Sequence, residues 1–335
     1  MSSRRDVLTA LGLASAAALT AQSASAQVGA AQPGPQPAAS GAATPFWPNA
    51  ARIAVSASLM LEAGGQNLHR SDALYGPMPE GYLDLPTNTW FEYGAVEGIP
   101  RLLDLFDRHG VKATSFMVGT AAEKHPDLAR EIVRRGHEAA AHGRTWESTF
   151  QLSRADEKKN IAEGVEMIER ITGFHPVGWN AAGLKNSPNT LEILQELGFL
   201  YHIDDVSRDE PFINVLPTGN FVTVPYSAFV NDFQNAFPGR YFPPSYEQLL
   251  KDQFDQLYDE GASRRRMMQI CTHDRMCGMP AAVRMLDRVL QHIRGKEGVW
   301  FARKDEIARW AIAHPEHTPV VQRGRVAETG LPGPA

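Results

Sequence analysis

Four ionisable side chains, each just past an apolar run, together suit hydrolysis of a carbon–nitrogen bond. Glu62 follows the run ending in Leu61, His142 follows Ala139-Ala140-Ala141, Asp204 follows Tyr201-His202-Ile203, and His273 follows Ile270-Cys271-Thr272. Amide hydrolysis needs a base to activate water, a donor to meet the oxyanion and an acid to protonate the leaving nitrogen. A carboxylate and an imidazole suit the first and last roles. Taken singly, Glu62, His142 and Asp204 each have a better structural reading than a functional one, and for His273 the two are even. Glu62 would be a solvated loop carboxylate, His142 a strand-end cap, Asp204 and its neighbour Asp205 helix-entry acids, and His273 a strand-end residue. Taken together, four such groups at four strand ends would be an unusual coincidence.

The elements that must position them alternate. Strands are predicted over 52–59, 113–118, 138–141, 199–203, 221–224, 268–272 and 299–302. Helices are predicted over 96–109, 120–135, 153–171, 246–258, 281–293 and 305–313, with one more opened by Ser187-Pro188 and closed by Gly198. Strands alternating with helices make a parallel sheet with helices outside it. About seven such units predict an α/β fold closing, or nearly closing, into a barrel. Barrel active sites lie at the C-terminal ends of the strands, where the four residues fall. The stretch 64–93 is long, without clear period, and expected to form a lid or binding wall.

Composition sets further bounds. The formal charge is −5, and the only tight basic cluster is Arg264-Arg265-Arg266, expected as a solvated loop. No nucleic-acid partner is implied, since phosphate binding needs a concentrated basic surface. Cys271 and Cys277 are the only cysteines, too few for a disulfide framework. A single bridge between them stays open, although Cys271 reads as a buried strand residue. Arg4-Arg5 precede an apolar run from Val7 to Ala21 that ends in Ala24-Ser25-Ala26, as an export signal does. Ser3-Arg4-Arg5-Asp6-Val7-Leu8 resembles the twin-arginine address, which implies the twin-arginine machinery as a transient partner and a periplasmic or secreted product. The run is too short for a stable membrane anchor. The expected organisation is a signal over 1–26, an Ala/Gly/Pro-rich linker over 27–45, a single catalytic domain over 46–313 and a surface tail over 314–335.

Several segments, in order, resemble the polysaccharide deacetylase superfamily, and within it the allantoinase-like and cyclic-imidase-like branch. They are Glu62-Ala63-Gly64-Gly65; Gly136-His137-Glu138 running into His142-Gly143 with Trp146; Thr172-Gly173 with Pro176, Gly178 and Trp179; and Ser187-Pro188-Asn189-Thr190. Gly198-Phe199-Leu200-Tyr201 with Asp204, Pro225-Tyr226 with Asn231-Asp232, and His273 with Arg275, Gly278 and Pro280 complete the series. The resemblance spans about 51–311 and implies a distorted (β/α) barrel of about seven strands. It also implies that Glu62 is the general base and His273 the general acid. Asp204 is a third catalytic candidate; His142, Trp146, Trp179, Tyr226, Asp232 and Arg275 are candidates for holding substrate.

The chain departs from the family pattern at the metal. The family's second acid, a ligand, is Ala63 here, and the second histidine of its His-x-x-x-His pair is Trp146. The arginine that orients the base in the family is replaced by His175, before Pro176. A catalytic zinc needs three protein ligands. Either the enzyme works without a divalent metal such as zinc, or His142 is joined by Glu62, Asp204 or His273. Without metal, Glu62 is expected to act as base with a pKa raised by burial, and His142 or the backbone near Gly64-Gly65 to meet the oxyanion. The substrate is expected to be an N-acetylated sugar or a small cyclic amide, imide or ureide. Trp90, Phe91, Tyr93, Trp146, Trp179, Tyr226 and Phe229 are available to wall either pocket, with core packing as their ordinary alternative. The rival reading is a non-catalytic carbohydrate- or small-ligand-binding protein with a degenerate metal site. A homo-oligomer is an expectation carried by the resemblance alone.

Overall fold

The computed structural model describes residues 46–66, 74–76, 78–79, 81–236 and 245–322. The expected signal and linker over 1–45 lie outside the described residues, as does the tail beyond 322. In chain order the elements are β1 (Ile53–Leu61), α1 (Leu85–Tyr93), α2 (Ile99–Arg108), β2 (Thr114–Met117), α3 (Gly119–Lys124), α4 (Pro126–Arg134), β3 (Glu138–Ala141), α5 (Arg154–Thr172), β4 (Gly178–Trp179) and α6 (Thr190–Glu196). There follow β5 (Tyr201–His202), β6 (Phe212–Leu216), β7 (Gly219–Thr223), α7 (Asp232–Ala236), α8 (Ser245–Glu260), β8 (Met267–His273), α9 (Pro280–Arg294), β9 (Val299–Phe301), α10 (Lys304–Ala313) and β10 (Val320–Val321).

Seven strands run parallel side by side in the order β8-β1-β2-β3-β4-β5-β7. β9 adds to the start of β1. β6 pairs antiparallel with β7, and β10 pairs with β6. Among the described residues the hydrogen-bonded sheet does not close: it ends at β8 on one side and, beyond β7 and β6, at β10 on the other. One parallel bridge joins Asn231 to Cys271 of β8. The result is a distorted, incompletely closed (β/α) barrel.

Period-two alternation decides what each face carries. Along β1, Ile53, Val55, Ala57, Leu59 and Leu61 join the apolar layer beneath the helices, whereas Ala54 and Met60 join a second cluster on the inner face. Continuing that inner register places Glu62 at the inner rim. The same count puts Ala140 and then His142 on the inner side of β3, and Met267, Cys271 and then His273 on the inner side of β8. Glu62, His142 and His273 thus converge because each lies an even number of residues from an inward position.

Several expectations are revised. The helix predicted over 120–135 is two helices, because Pro126 forces His125 out of the helical region, to φ −124° and ψ 59°. The helix expected from Ser187-Pro188 starts at Thr190; Ser187 instead donates its hydroxyl to Glu157. Arg265 and Arg266 are buried rather than solvated. Arg265 bonds the Pro211 carbonyl and stacks over Trp47, and Arg266 pairs with Glu260. Only Arg264 of that cluster is exposed. Cys271 and Cys277 are both buried and unbridged. Of the stretch assigned to a tail, Thr318 is buried and Val320–Val321 form β10. Among the described residues, no helix is long and apolar enough to cross a membrane.

Between α1 and α2 the chain makes a π-helical turn, Gly94–Gly98, a feature that often marks functional sites. Its two glycines press on the segment after β8. A β-carbon on Gly94 would fall 2.6 Å from the Asp274 carboxyl carbon, and one on Gly98 would fall 2.0 Å from the Asp274 carbonyl oxygen. Gly98→Ala should therefore destabilise the protein by about 1–3 kcal/mol through overpacking and displace Asp274 and Arg275. Thermal unfolding checks this; an unchanged melting temperature would contradict it.

Candidate active site

Glu62 is fully buried, and its two oxygens have different partners. Oε2 accepts from Nη1 of Arg275 at 2.5 Å. Oε1 has no hydrogen-bond partner among the described residues. It faces Nε2 of His142 at 3.5 Å and Nε2 of His273 at 3.9 Å. Burial works to raise the Glu62 pKa, but the charge of Arg275, joined by that of His273, outweighs it and holds the carboxyl well below its usual range. The expected raised pKa is thus corrected: Glu62 is a carboxylate locked in its charged form by a guanidinium.

Arg275 fills the orienting role that His175 left open. His175 is exposed and pairs with Glu169 at 2.8 Å. Arg275 comes from the turn after β8, where Nη1 also meets Asp274 at 3.1 Å. Its guanidinium lies over Phe91 at 3.8 Å and Trp90 at 4.9 Å, close enough for a cation–π contribution. Asp274 is fully buried and accepts the Glu62 backbone N–H at 3.3 Å. Burial, opposed by Arg275 and assisted by Glu62, pushes its pKa up to about 6.

His273 is held by Asp232, which opens α7. One Asp232 oxygen accepts from the His273 backbone N–H at 2.6 Å, the other meets Nδ1 at 2.5 Å. Burial acts to lower the His273 pKa, yet Asp232, with Glu62 behind it, raises it above its ordinary value. The ring is thereby fixed with Nε2 turned to Glu62. Asp232 was expected to touch substrate; it is instead the residue that aims and charges His273.

His142 is fixed at both nitrogens. Trp146 carries an indole N–H that can only donate, and it points at His142 Nε2 at 3.1 Å. Nε2 therefore accepts, and the ring proton sits on Nδ1, which donates to the Asn180 carbonyl at 2.7 Å. His142 cannot then meet an oxyanion as expected. Nor can the neighbouring glycine amides: Gly64 donates to Gln66 at 2.6 Å and Gly65 to the Glu62 carbonyl at 2.8 Å.

The same hydrogen bond bears on metal binding. A metal would need the Nε2 lone pair that Trp146 occupies. Ala63 packs with Phe91 and Ala95 in an apolar cluster and offers no donor. Among the described residues, no three His, Cys, Asp or Glu side chains are grouped to hold an ion. The residues present do not fit the metal centre that the family pattern implies.

The remaining candidates fall outside the cluster. Asp204 Oδ1 accepts from the Asn180 side chain at 2.8 Å and the Ala181 amide at 2.9 Å. It stands behind His142, one residue removed, and its hydrogen bonds make it a support for Asn180 rather than a group that meets Glu62 or His273. Trp179, expected to bind substrate, is 1% exposed in the layer beneath the helices, edge-on to Phe199. Tyr226, also expected there, packs in the inner cluster with Met60 and Cys271. Phe229 is 68% exposed.

The comparisons with known proteins agree with this geometry. The polysaccharide deacetylase family model matches residues 88–202. A putative polysaccharide deacetylase of Schizosaccharomyces pombe is 29% identical over 298 residues, covering 80% of this chain and 93% of that protein. The crystal structure of a probable polysaccharide deacetylase from Pseudomonas aeruginosa PAO1 superposes with a TM-score of 0.72 at 32% identity, over 83% of this chain and 96% of that one. An allantoinase crystal structure superposes with a TM-score of 0.75 at 32% identity, over 83% and 95%. The chain belongs to the polysaccharide deacetylase family. Within it, this protein is a hydrolase of non-peptide carbon–nitrogen bonds.

Proposed function

We propose that this enzyme opens a small cyclic amide, imide or ureide by metal-independent hydrolysis, and that it does so after twin-arginine export to the periplasm. One observation carries the substrate reading: the reacting groups are enclosed. Glu62, Asp232, Asp274 and Arg275 are each 0% exposed, His142 3% and His273 8%. A polymer needs an open groove along which its sugars lie, whereas a small flat ring does not, and His273 is the most exposed of these six groups. The likeness to an allantoinase supports the same class. The names of the deacetylase relatives favour an N-acetylated sugar, which makes that the competing arm of the test. The export part rests on Arg4-Arg5, the apolar run and Ala24-Ser25-Ala26.

In the proposed reaction, a water bound against Glu62 Oε1 attacks the carbonyl carbon and gives its proton to that oxygen. The carbon–oxygen bond forms, the ring carbon–nitrogen bond breaks, and its electron pair goes to nitrogen. Nitrogen takes a proton from His273 Nε2. The proton on Glu62 returns to His273 across the 3.9 Å gap, restoring both groups. The low pKa of Glu62 favours that return.

The test is a panel of cyclic imides, hydantoin-type ureides, lactams and N-acetylated chitooligosaccharides, run with and without chelator. Turnover of a cyclic substrate that survives chelation supports the reading. Turnover of acetylated sugars alone, or loss with chelator, sinks it. The pH profile has a stated sign. Glu62 stays ionised to well below the usual carboxylate range, and His273 keeps its proton above its ordinary pKa. kcat/KM should be level near neutrality, above the Asp274 ionisation at about 6, and fall as pH rises through the His273 pKa. Asp232→Asn removes the charge that raises that pKa, so its alkaline limb should move to lower pH; an unmoved limb would assign the ionisation elsewhere.

A further inference from the structure

Arg275 is more than a partner for Glu62. Its Nη1 is engaged by Glu62 and Asp274, while Nε and Nη2 are buried with no hydrogen-bond partner among the described residues. Buried donors without acceptors are rare in folded proteins, and each costs free energy. The Nε/Nη2 edge of a guanidinium is a planar fork for oxygen acceptors. Stacking on Phe91 and Trp90 fixes the plane of that fork. The usual oxyanion donors are meanwhile committed: His142 Nε2 accepts from Trp146, and the Gly64 and Gly65 amides are bonded locally.

We propose that the free Nε/Nη2 edge of Arg275 binds the scissile carbonyl oxygen and stabilises the oxyanion. This rests on the amide-hydrolysis reading above. One guanidinium then serves two ends of the reaction. Nη1 holds the carboxylate that receives the water proton, and the opposite edge takes the charge that develops as the carbonyl carbon becomes tetrahedral. The ligand class is a carbonyl that can enter the enclosure edge-on, as the planar carbonyl of a cyclic imide or ureide does.

The test compares a cyclic imide with its thio analogue, in which sulfur replaces the scissile carbonyl oxygen. Sulfur accepts hydrogen bonds weakly. The wild-type protein should therefore strongly prefer the oxygen substrate beyond the ratio seen in free solution. Arg275→Ala should lose about 10²–10³ in kcat on the oxygen substrate, as removal of one oxyanion donor does elsewhere. Its oxygen-to-sulfur preference should collapse to the solution ratio, and added guanidinium should restore part of the oxygen rate. Should Arg275→Ala not fold, Arg275→Lys keeps the charge without the fork and serves in the same comparison. A residue that merely positions Glu62 would lower both rates together and raise the acid limb of the pH profile. An unchanged oxygen-to-sulfur preference in a folded variant therefore overturns the proposal while leaving the hydrolase reading intact. If the wild-type protein turned over no amide at all, both would fall.

Discussion

His273→Ala should lower kcat for ring opening by about 10²–10⁴, the range for loss of a general acid, with a smaller change in KM. The expectation follows from a census of protons in the enclosure. His142 carries its proton on Nδ1 and spends it on the Asn180 carbonyl. Asp274 accepts from the Glu62 amide, the Arg275 amide and the Arg275 side chain, so its oxygens act as acceptors. Glu62 is held in its charged form by Arg275. His273 Nε2 is left as the ionisable group with a transferable proton facing Glu62 Oε1 and, among the described residues, no acceptor in hydrogen-bond range. The variant should also lose the alkaline limb of the pH profile, because the titrating group is gone, and added imidazole should recover part of the rate. A His273→Ala enzyme that kept both its rate and its alkaline limb would move the acid to another residue. Glu62→Gln should fall comparably, for a different reason: the amide cannot take the water proton.

What sequence made legible here is the part that depends on local periodicity. The strand alternation placed Glu62, His142 and His273 at strand ends, and the two-residue period of β1, β3 and β8 turned them inward together. What sequence hid are the choices of partner. Arg275 lies 213 residues from the Glu62 it neutralises, and nothing near His175 signalled that the orienting cation had moved to the turn after β8. Asp232 was visible as a polar residue beside Asn231, but its role depends on Asn231 bridging to β8 and delivering the carboxylate to His273. The π-turn Gly94–Gly98 reads as ordinary helix, and only the approach of Asp274 explains why two glycines are needed there. Trp179 shows the reverse error. As an aromatic residue within a segment resembling the family it suggested a pocket wall, but in the two-residue strand β4 it packs outward under the helices.

Trp146 supplies the second large effect, because the substitution that removed a metal ligand also sealed the one that remained. A tryptophan four residues after His142 does not merely fail to bind; its N–H occupies the Nε2 lone pair. Trp146→His should therefore act twice, freeing His142 and adding a second imidazole. Two ligands still make a weak site. Adding Ala63→Asp supplies the third, and three protein ligands with an open position are what a catalytic zinc requires. The wild-type protein should bind no zinc at ~10 μM, Trp146→His should bind it weakly, and the double variant should reach a Kd of ~1 μM or tighter, about 8 kcal/mol of binding free energy. Because Ala63 sits against Phe91 and Ala95, the new carboxylate begins in an apolar environment, so it should cost stability without metal and regain it with zinc. Calorimetric titration and thermal unfolding with and without zinc read both effects. Tight zinc binding by the wild-type protein would show that the indole does not guard His142. A double variant that folds yet binds no better than Trp146→His would show that position 63 cannot reach a metal in this barrel.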